Sequence, residues 1–293
     1  VTRLTRVELT ESLIRTLLTE QHPDLAHLPL REVVGGWDNQ MWRLGEDLAV
    51  RLPRTPRAPE LLQRERNWLP TLAERLPLPI PTPVRLGEPS ERFPSPWLIT
   101  QWVPGEPADR EFITADESGT ALADFLRALH VPAPADVPQE ARGGLMRQES
   151  IEHFAGSIEP STAVRDIWAD AVAAPAWDGP AVWVHSDLHP ANLVVADGRL
   201  AGVIDFGDVG AGDPAVDISA AWVLLPDGAA KRFFAAYPMD EATFRRARGW
   251  AAFRALFVLA MAVNGERGLA GGKPTWRPAG EAAMERVLGR STR

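Results

Sequence analysis

Apolar residues recur at helical spacing over residues 8–20, where Leu9, Leu13, Ile14, Leu17 and Leu18 share one face, and the run ends at His22-Pro23. Over residues 30–54 the texture changes to short extended segments. They are broken by Gly35-Gly36 and by Gly45-Glu46-Asp47, which predicts a hairpin followed by a further strand. That strand, Ala49-Val50-Arg51-Leu52, carries a single basic residue and ends at Pro53. Residues 60–76 return to a helical period through Leu61, Leu62, Glu65, Trp68, Leu69 and Leu72, and the proline-rich stretch 77–83 stops this second helix. Residues 97–103 have the composition of a buried strand, closed by Pro104-Gly105.

Beyond Gly105 the pattern is mostly helical. Residues 118–130 form an amphipathic period, 132–138 a proline-rich loop, and 145–177 the pattern of two helices. Short strand and loop return over 183–206, and from Pro214 onward the chain reads as helix with a glycine-rich interruption at 268–272. No repeat or low-complexity tract is present. The pattern predicts an α+β protein in two parts. A small strand-rich part, 1–103, is joined through a hinge at about 100–105 to a larger, mostly helical part, 104–293.

Composition narrows the function classes. The 293 residues are 45% hydrophobic and 24% charged, which excludes global disorder. The net charge of −8 argues against a nucleic-acid partner, whose affinity needs clustered cations. The charge is unevenly spread. Residues 1–100 carry 13 basic and 13 acidic side chains, 101–230 carry 6 and 21, and 231–293 carry 12 and 5. An acidic middle suits a metal or a cationic ligand, and equally a solvated acidic face. With no cysteine, disulfides and thiolate metal sites are excluded and a reducing compartment is expected. No apolar core of a signal peptide follows the first residues, and the apolar run 255–263 is too short to span a bilayer. The expectation is a cytoplasmic protein that engages no membrane.

The residues with the strongest chemical content are His185-Ser186-Asp187-Leu188-His189-Pro190-Ala191-Asn192, followed by Ile204-Asp205-Phe206-Gly207-Asp208. Phosphoryl transfer needs a carboxylate that orients the acceptor hydroxyl and takes its proton, and hard oxygen ligands for a Mg²⁺ ion that bridges the phosphates. Asp187 suits the first task, and Asn192 and Asp205 suit the second. His185 reads as a packed, hydrogen-bonded loop residue, and His189 as either structural or substrate-facing. Asp217, opening a helix, reads locally as an N-terminal cap. Asp208 either contacts metal or substrate or completes the glycine turn. Trp222, Trp250 and Trp276 read as core or pocket wall.

The pattern His-x-Asp-x-x-x-x-Asn followed by Asp-Phe-Gly resembles the protein-kinase-like superfamily. With Asp213-Pro214 and Asp217 it resembles its aminoglycoside phosphotransferase and choline kinase branch. The resemblance implies a bilobal fold, with a small β-rich N-terminal lobe for the nucleotide and a larger helical C-terminal lobe for catalysis. It implies that Gly35, Gly36 and Asn39 belong to a hairpin over the phosphates of ATP or GTP. It also implies that Gln101 and Val103 lie in the linker whose backbone meets the purine, and that Asp217 braces the catalytic loop. One departure stands out: the family expects a lysine on the third strand, and this chain has only Lys231 and Lys273, neither near it. Arg51 takes that place, with Glu65 as its helix partner. Arginine binds phosphate bidentately, with a longer and differently shaped fork.

The resemblance leaves the acceptor open. Asp187, Glu152, Asp166, Asp170, Asp213 and Glu266 are candidates to receive the ammonium groups of a small cationic, hydroxylated substrate, with an aminoglycoside as the leading class. Choline, homoserine, sugars, ketosamines and macrolides are alternatives, and so is a nucleotide-binding module without catalysis, whose only support is Arg51. A monomer and a homodimer are both compatible with the sequence.

Overall fold

The computed structural model describes residues 8–33, 36–139, 151 and 158–289. The chain divides into two compact units, Val1–Glu74 with Ile80–Val103, and Arg75–Pro79 with Pro104–Arg293.

The first unit is built on an antiparallel five-stranded sheet. Its strands β1 (Leu30–Val33), β2 (Asn39–Leu44), β3 (Leu48–Pro53), β4 (Pro83–Gly87) and β5 (Trp97–Gln101) lie in the order β1-β2-β3-β5-β4. Helix α1 (Glu11–Gln21) starts where the Thr10 hydroxyl accepts the Leu13 N–H at 3.3 Å. Its apolar stripe, Ile14, Leu17 and Leu18, closes a core with Trp42, Leu44, Val50, Leu52, Phe93, Trp97 and Ile99. Helix α2 (Ala58–Ala73) buries Leu61, Leu62, Leu69 and Leu72 together with one charged residue, Glu65. Strand β4 is not predicted by the sequence, whose pattern gives a loop over 77–83 and no strand from there to residue 97. It lies at the sheet edge and begins at Pro83, where a missing N–H removes no ladder bond.

The second unit has little sheet. Strands β6 (Glu106–Pro107), β8 (Leu193–Ala196) and β9 (Arg199–Val203) form one small sheet, and β7 (Val182–Val184) pairs with β10 (Gly210–Gly212) in another. The helices are α3 (Glu117–Leu129), α4 (Thr162–Ala173), α5 (Ala215–Ile218), α6 (Ala220–Leu224), α7 (Asp227–Ala236), α8 (Glu241–Glu266) and α9 (Arg277–Val287). Of the two helices expected over 145–177, α4 is described and most of the preceding stretch lies outside the described residues. The long helix α8 packs against both α4 and α9, and Trp168 of α4 stacks on Phe253 of α8 with ring centroids 5.8 Å apart. Helix α3 approaches α7 so closely that a Cβ at Gly119 would strike the Ala229 backbone. Among the described residues no helix is long and apolar enough to cross a membrane.

Candidate active site

In the second unit the buried strand β7 delivers the chain into the loop His185–Asn192, and the hairpin β8–β9 carries it on. Leu193 pairs with Val203, and the Ile204 N–H donates to the Asn192 carbonyl at 2.9 Å. Asn192 and Asp205 therefore sit side by side at the open end of one hairpin. This register brings together two residues thirteen positions apart in sequence.

Two residues of this region hold a backbone conformation that side chains disfavour. Ser186 has φ 68° and Asp205 φ 63°, both in the left-handed region. Ser186 is held there by its neighbours. Fully buried Asp217 accepts the His185 N–H at 2.6 Å and the Ser186 N–H at 2.8 Å, while the Ser186 hydroxyl donates to the Asp208 carbonyl at 3.1 Å. Asp217 is thus no cap of its own helix; its carboxylate is spent on the loop. Burial pushes the Asp217 carboxyl up. The hydrogen bond and charge of His130, with the His185 charge and backbone N–H, outweigh this and hold it below the usual carboxylate range.

His130 continues the chain of bonds. Its Nε2 lies 3.3 Å from Asp217 and its Nδ1 2.6 Å from the Tyr237 hydroxyl. The tyrosine hydroxyl thus meets Nδ1 and the carboxylate meets Nε2. Burial, then the nearby Asp217 and Asp213 charges, push the Tyr237 hydroxyl well above its ordinary value, so it remains a donor. His185 is likewise bonded through both ring nitrogens: Nδ1 accepts the Asp187 N–H at 3.2 Å and Nε2–H donates to the Ile204 carbonyl at 3.0 Å. His185 therefore ties the Asp187 turn to the Asp205 turn.

Asp187 is half-buried. The Asn192 side-chain N–H donates to its backbone carbonyl at 2.9 Å, its Oδ2 lies 3.7 Å from His189 Nε2, and its Oδ1 lies 3.9 Å from the Arg254 guanidinium. His189 accepts the Ala191 N–H on Nδ1 at 3.3 Å, which aims its Nε2–H at Asp187. Its ring packs on Trp276, centroids 5.1 Å apart, and Trp276 is fixed by donating to Asp109 at 2.9 Å.

In the first unit Arg51 lies on the middle strand, opposite Met41 and Leu98, and forms a buried ion pair with Glu65 of α2. The turn at Gly36 has φ 73°, and a Cβ there would meet the Asn39 carbonyl at 2.8 Å, so the turn needs glycine. Arg54 donates to the carbonyls of Gly36 and Trp37, and Arg57 donates twice to Asp38 at 2.8 and 3.0 Å. Burial raises the Asp38 carboxyl, but Arg57 and Thr55 bring it below the usual range. Asn39 is buried at the start of β2, and its Oδ1 has no hydrogen-bond partner among the described residues. Gln101 donates its N–H to the Thr82 carbonyl at 2.8 Å, and Val103 is buried. Gly35 lies outside the described residues.

The carboxylates expected to hold a cationic acceptor are not gathered at an open site. Asp213 is ion-paired with buried Arg246 at 2.6 Å, Asp170 with Arg245 at 2.7 Å, and Glu266 with Arg277. Asp166 is exposed one turn before Asp170, and Glu152 lies outside the described residues. The physical reason is the basic C-terminal segment: Arg245 and Arg246 on α8 fold back onto the acidic middle and neutralise part of it, while Arg277 on α9 pairs with Glu266 of its own segment. A cavity of about 480 Å³ opens beside Asp213, lined by Val172, Trp177, Ala211, Arg246 and Trp250 among others. The side chains bonded within this region that the sequence alone does not single out are His130, Tyr237, Arg246 and Arg254.

Comparison with known proteins accords with this arrangement. The chain is 28% identical over 192 residues to an aminoglycoside 3'-phosphotransferase of Escherichia coli, covering 60% of this chain and 68% of that protein. It is 29% identical over 189 residues to one of Streptomyces fradiae, covering 57% and 67%. The solved GDP complex of aminoglycoside 2'-phosphotransferase-IIIa matches 95% of this chain and 98% of its own, with TM-score 0.68 at 19% identity. A macrolide 2'-phosphotransferase from Brachybacterium faecium matches 93% and 97%, with TM-score 0.61 at 24% identity. At these identities the solved structures establish the shared fold, a β-sheet N-terminal region and a helical C-terminal part. The sequence model of the phosphotransferase enzyme family matches residues 29–256, most of the chain, with both the Arg51 strand and the Asp187 loop inside it, and this chain belongs to that family.

Proposed function

We propose that this chain transfers the γ-phosphoryl group of ATP or GTP to a hydroxyl of a small molecule, with an aminoglycoside-like antibiotic as the leading acceptor class. The observation that carries the reading is the linked loop pair, in which the Asp187 backbone, Asn192 and Ile204, the residue before Asp205, are joined by a shared set of partly buried hydrogen bonds. Asp187 orients the acceptor hydroxyl and takes its proton as the new O–P bond forms. Its half-buried carboxylate has one oxygen facing His189 and the other facing Arg254.

The donor set suits Mg²⁺. The Asn192 amide nitrogen is spent on Asp187, which leaves Oδ1 as the atom it offers, and Asp205 is exposed on its left-handed turn. Among the described residues no cluster of three or more His, Asp or Glu gathers as an all-protein cage. Two hard oxygens are the sparse set that Mg²⁺ accepts when phosphates and water complete its shell. When bound, the ion would neutralise charge on the transferring phosphates. In the first unit Arg51, oriented by Glu65, contacts nucleotide phosphate, the Gly36–Asn39 turn covers the phosphates, and the backbone of Gln101 and Val103 meets the purine. The relatives that carry the aminoglycoside assignment are the two 3'-phosphotransferases named above.

A second reading, a macrolide acceptor, draws on a specific observation. The cavity beside Asp213 is walled by Trp177, Trp250, Val172 and Ala211, and its carboxylate is already paired with Arg246. Its aromatic walls suit an apolar body, while the one carboxylate in a lining that also holds Gln139 is the one paired with Arg246. Purified protein with Mg²⁺ and ATP or GTP, offered aminoglycosides, macrolides, choline and sugars, separates the readings. Mass spectrometry should show one acceptor gaining a single phosphoryl group with release of nucleoside diphosphate. Bound nucleotide with no product from any acceptor would overturn the enzyme and leave the inactive module.

A further inference from the structure

We infer that Arg254 is a positioning residue for Asp187, clamping the catalytic loop from the side opposite Asp217. This rests on the proposed role of Asp187 in phosphoryl transfer. Arg254 is the only charged residue between Arg248 and Glu266, in the middle of helix α8, where Ala251, Ala252, Ala255, Leu256 and Val258 are buried around it. The residue is only 5% exposed. A guanidinium in such a place is unfavourable unless its partners are well placed.

The partners come from the catalytic loop. One terminal nitrogen donates to the Leu188 carbonyl at 3.1 Å, the other donates to the Ser186 carbonyl, and the first also lies 3.9 Å from Asp187 Oδ1. Arg254 therefore grips the residues on either side of Asp187 and faces the carboxylate between them. Ser186 is held on both sides, its N–H by the Asp217 carboxylate and its C=O by the Arg254 guanidinium, in a left-handed conformation that a serine would not otherwise keep. Asp187 leaves that residue in a fixed direction only while both charges act. The fork shape of arginine is what allows two carbonyls two residues apart to be held at once, which lysine cannot reproduce.

The test uses the full chain as Arg254→Ala and Arg254→Lys. The account expects kcat of Arg254→Ala to fall about 100-fold, the scale of a misplaced catalytic group, with the nucleotide Kd within about twofold of wild type. Arg254→Lys should fall about 10-fold, because it keeps the charge but one carbonyl bond at most. Methylguanidinium added to Arg254→Ala should restore at least part of kcat and should leave wild type and Asp187→Asn unchanged. Hydrogen exchange of the peptide spanning 185–192 should accelerate about 10-fold or more in Arg254→Ala, with the α4 and α9 peptides unchanged. Wild-type kcat in Arg254→Lys, or loop exchange unchanged in both variants, overturns the inference. If wild type transfers to no acceptor while the loop exchange still responds to Arg254, the proposed activity fails and the clamp stands.

Discussion

Asp217→Asn removes one charge from a fully buried site and keeps the side-chain shape. In the native protein the carboxylate accepts the N–H groups of His185 at 2.6 Å and Ser186 at 2.8 Å, and faces His130 Nε2 at 3.3 Å. Asparagine offers one carbonyl oxygen and turns an NH₂ group toward a donor. One charge-assisted bond, worth about 1.5–3 kcal/mol, is lost outright, and the remaining ones weaken toward the neutral value of about 1 kcal/mol. The expected loss of stability is about 3–5 kcal/mol, the scale of breaking a buried charged network. Urea unfolding at pH 7, read on tryptophan fluorescence for the transition of the second unit, measures it. The depressed native carboxyl sets the pH dependence. Its contribution is fully present above the unfolded value of about 3.9 and is lost as pH falls through the lower native value. The gap between variant and wild type should hold from pH 7 to about pH 5 and close only in stronger acid. A variant within about 1 kcal/mol of wild type at pH 7, with kcat unchanged, would refute the bracing role.

Glu65→Gln leaves Arg51 buried without its counter-charge and should cost about 3 kcal/mol or more in the first unit while raising the nucleotide KM, measured by denaturation and by kinetics on ATP and GTP. Ser186→Gly relieves the left-handed conformation but deletes the hydroxyl bond to the Asp208 carbonyl, so stability should stay within about 1 kcal/mol of wild type. Ser186→Val at the same φ should lose about 2 kcal/mol or more by the same denaturation assay. Gly119→Ala forces α3 away from the Ala229 backbone and should cost about 1–3 kcal/mol, seen as a lowered melting temperature.

The local elements were legible where one rule decided them. The helices at 11–21 and 117–129 follow from apolar spacing, and the interruption before α9 from Gly268, Gly271 and Gly272. Strand β4 was hidden because a proline at a sheet edge looks in sequence like a loop breaker. The Asp187, Asn192 and Asp205 positions were readable because their spacing is fixed by one hairpin and its flanking loops. The pairing of Arg51 with Glu65 was readable from the strand and helix around it together with the family resemblance. The roles of His130 and Tyr237 were not: the meeting of His130 with Asp217 and with Tyr237 depends on packing at the ends of α3 and α7, across separations of 87 and 107 residues. Arg254 left a signal that went unused, a lone charge in a long uncharged helical run. The ion pairs of the expected acceptor carboxylates were not legible for a related reason. Charge counts along the chain do not show that arginines from the C-terminal helices return to Asp170, Asp213 and Glu266.

The central claim is that Asp187 activates the acceptor hydroxyl on a loop whose backbone is held by the Asp217, Arg254 and Asn192 side chains. Asp187→Asn keeps the loop bonds that run through the residue's backbone N–H and C=O, and removes the proton acceptor together with the charge that His189 and Arg254 face. Transfer should be followed by product mass with a saturating acceptor, alongside nucleotide binding by calorimetry. The account predicts that kcat falls about 1,000-fold or more with the nucleotide Kd within about twofold of wild type. Transfer by Asp187→Asn at more than a tenth of the wild-type rate would contradict it.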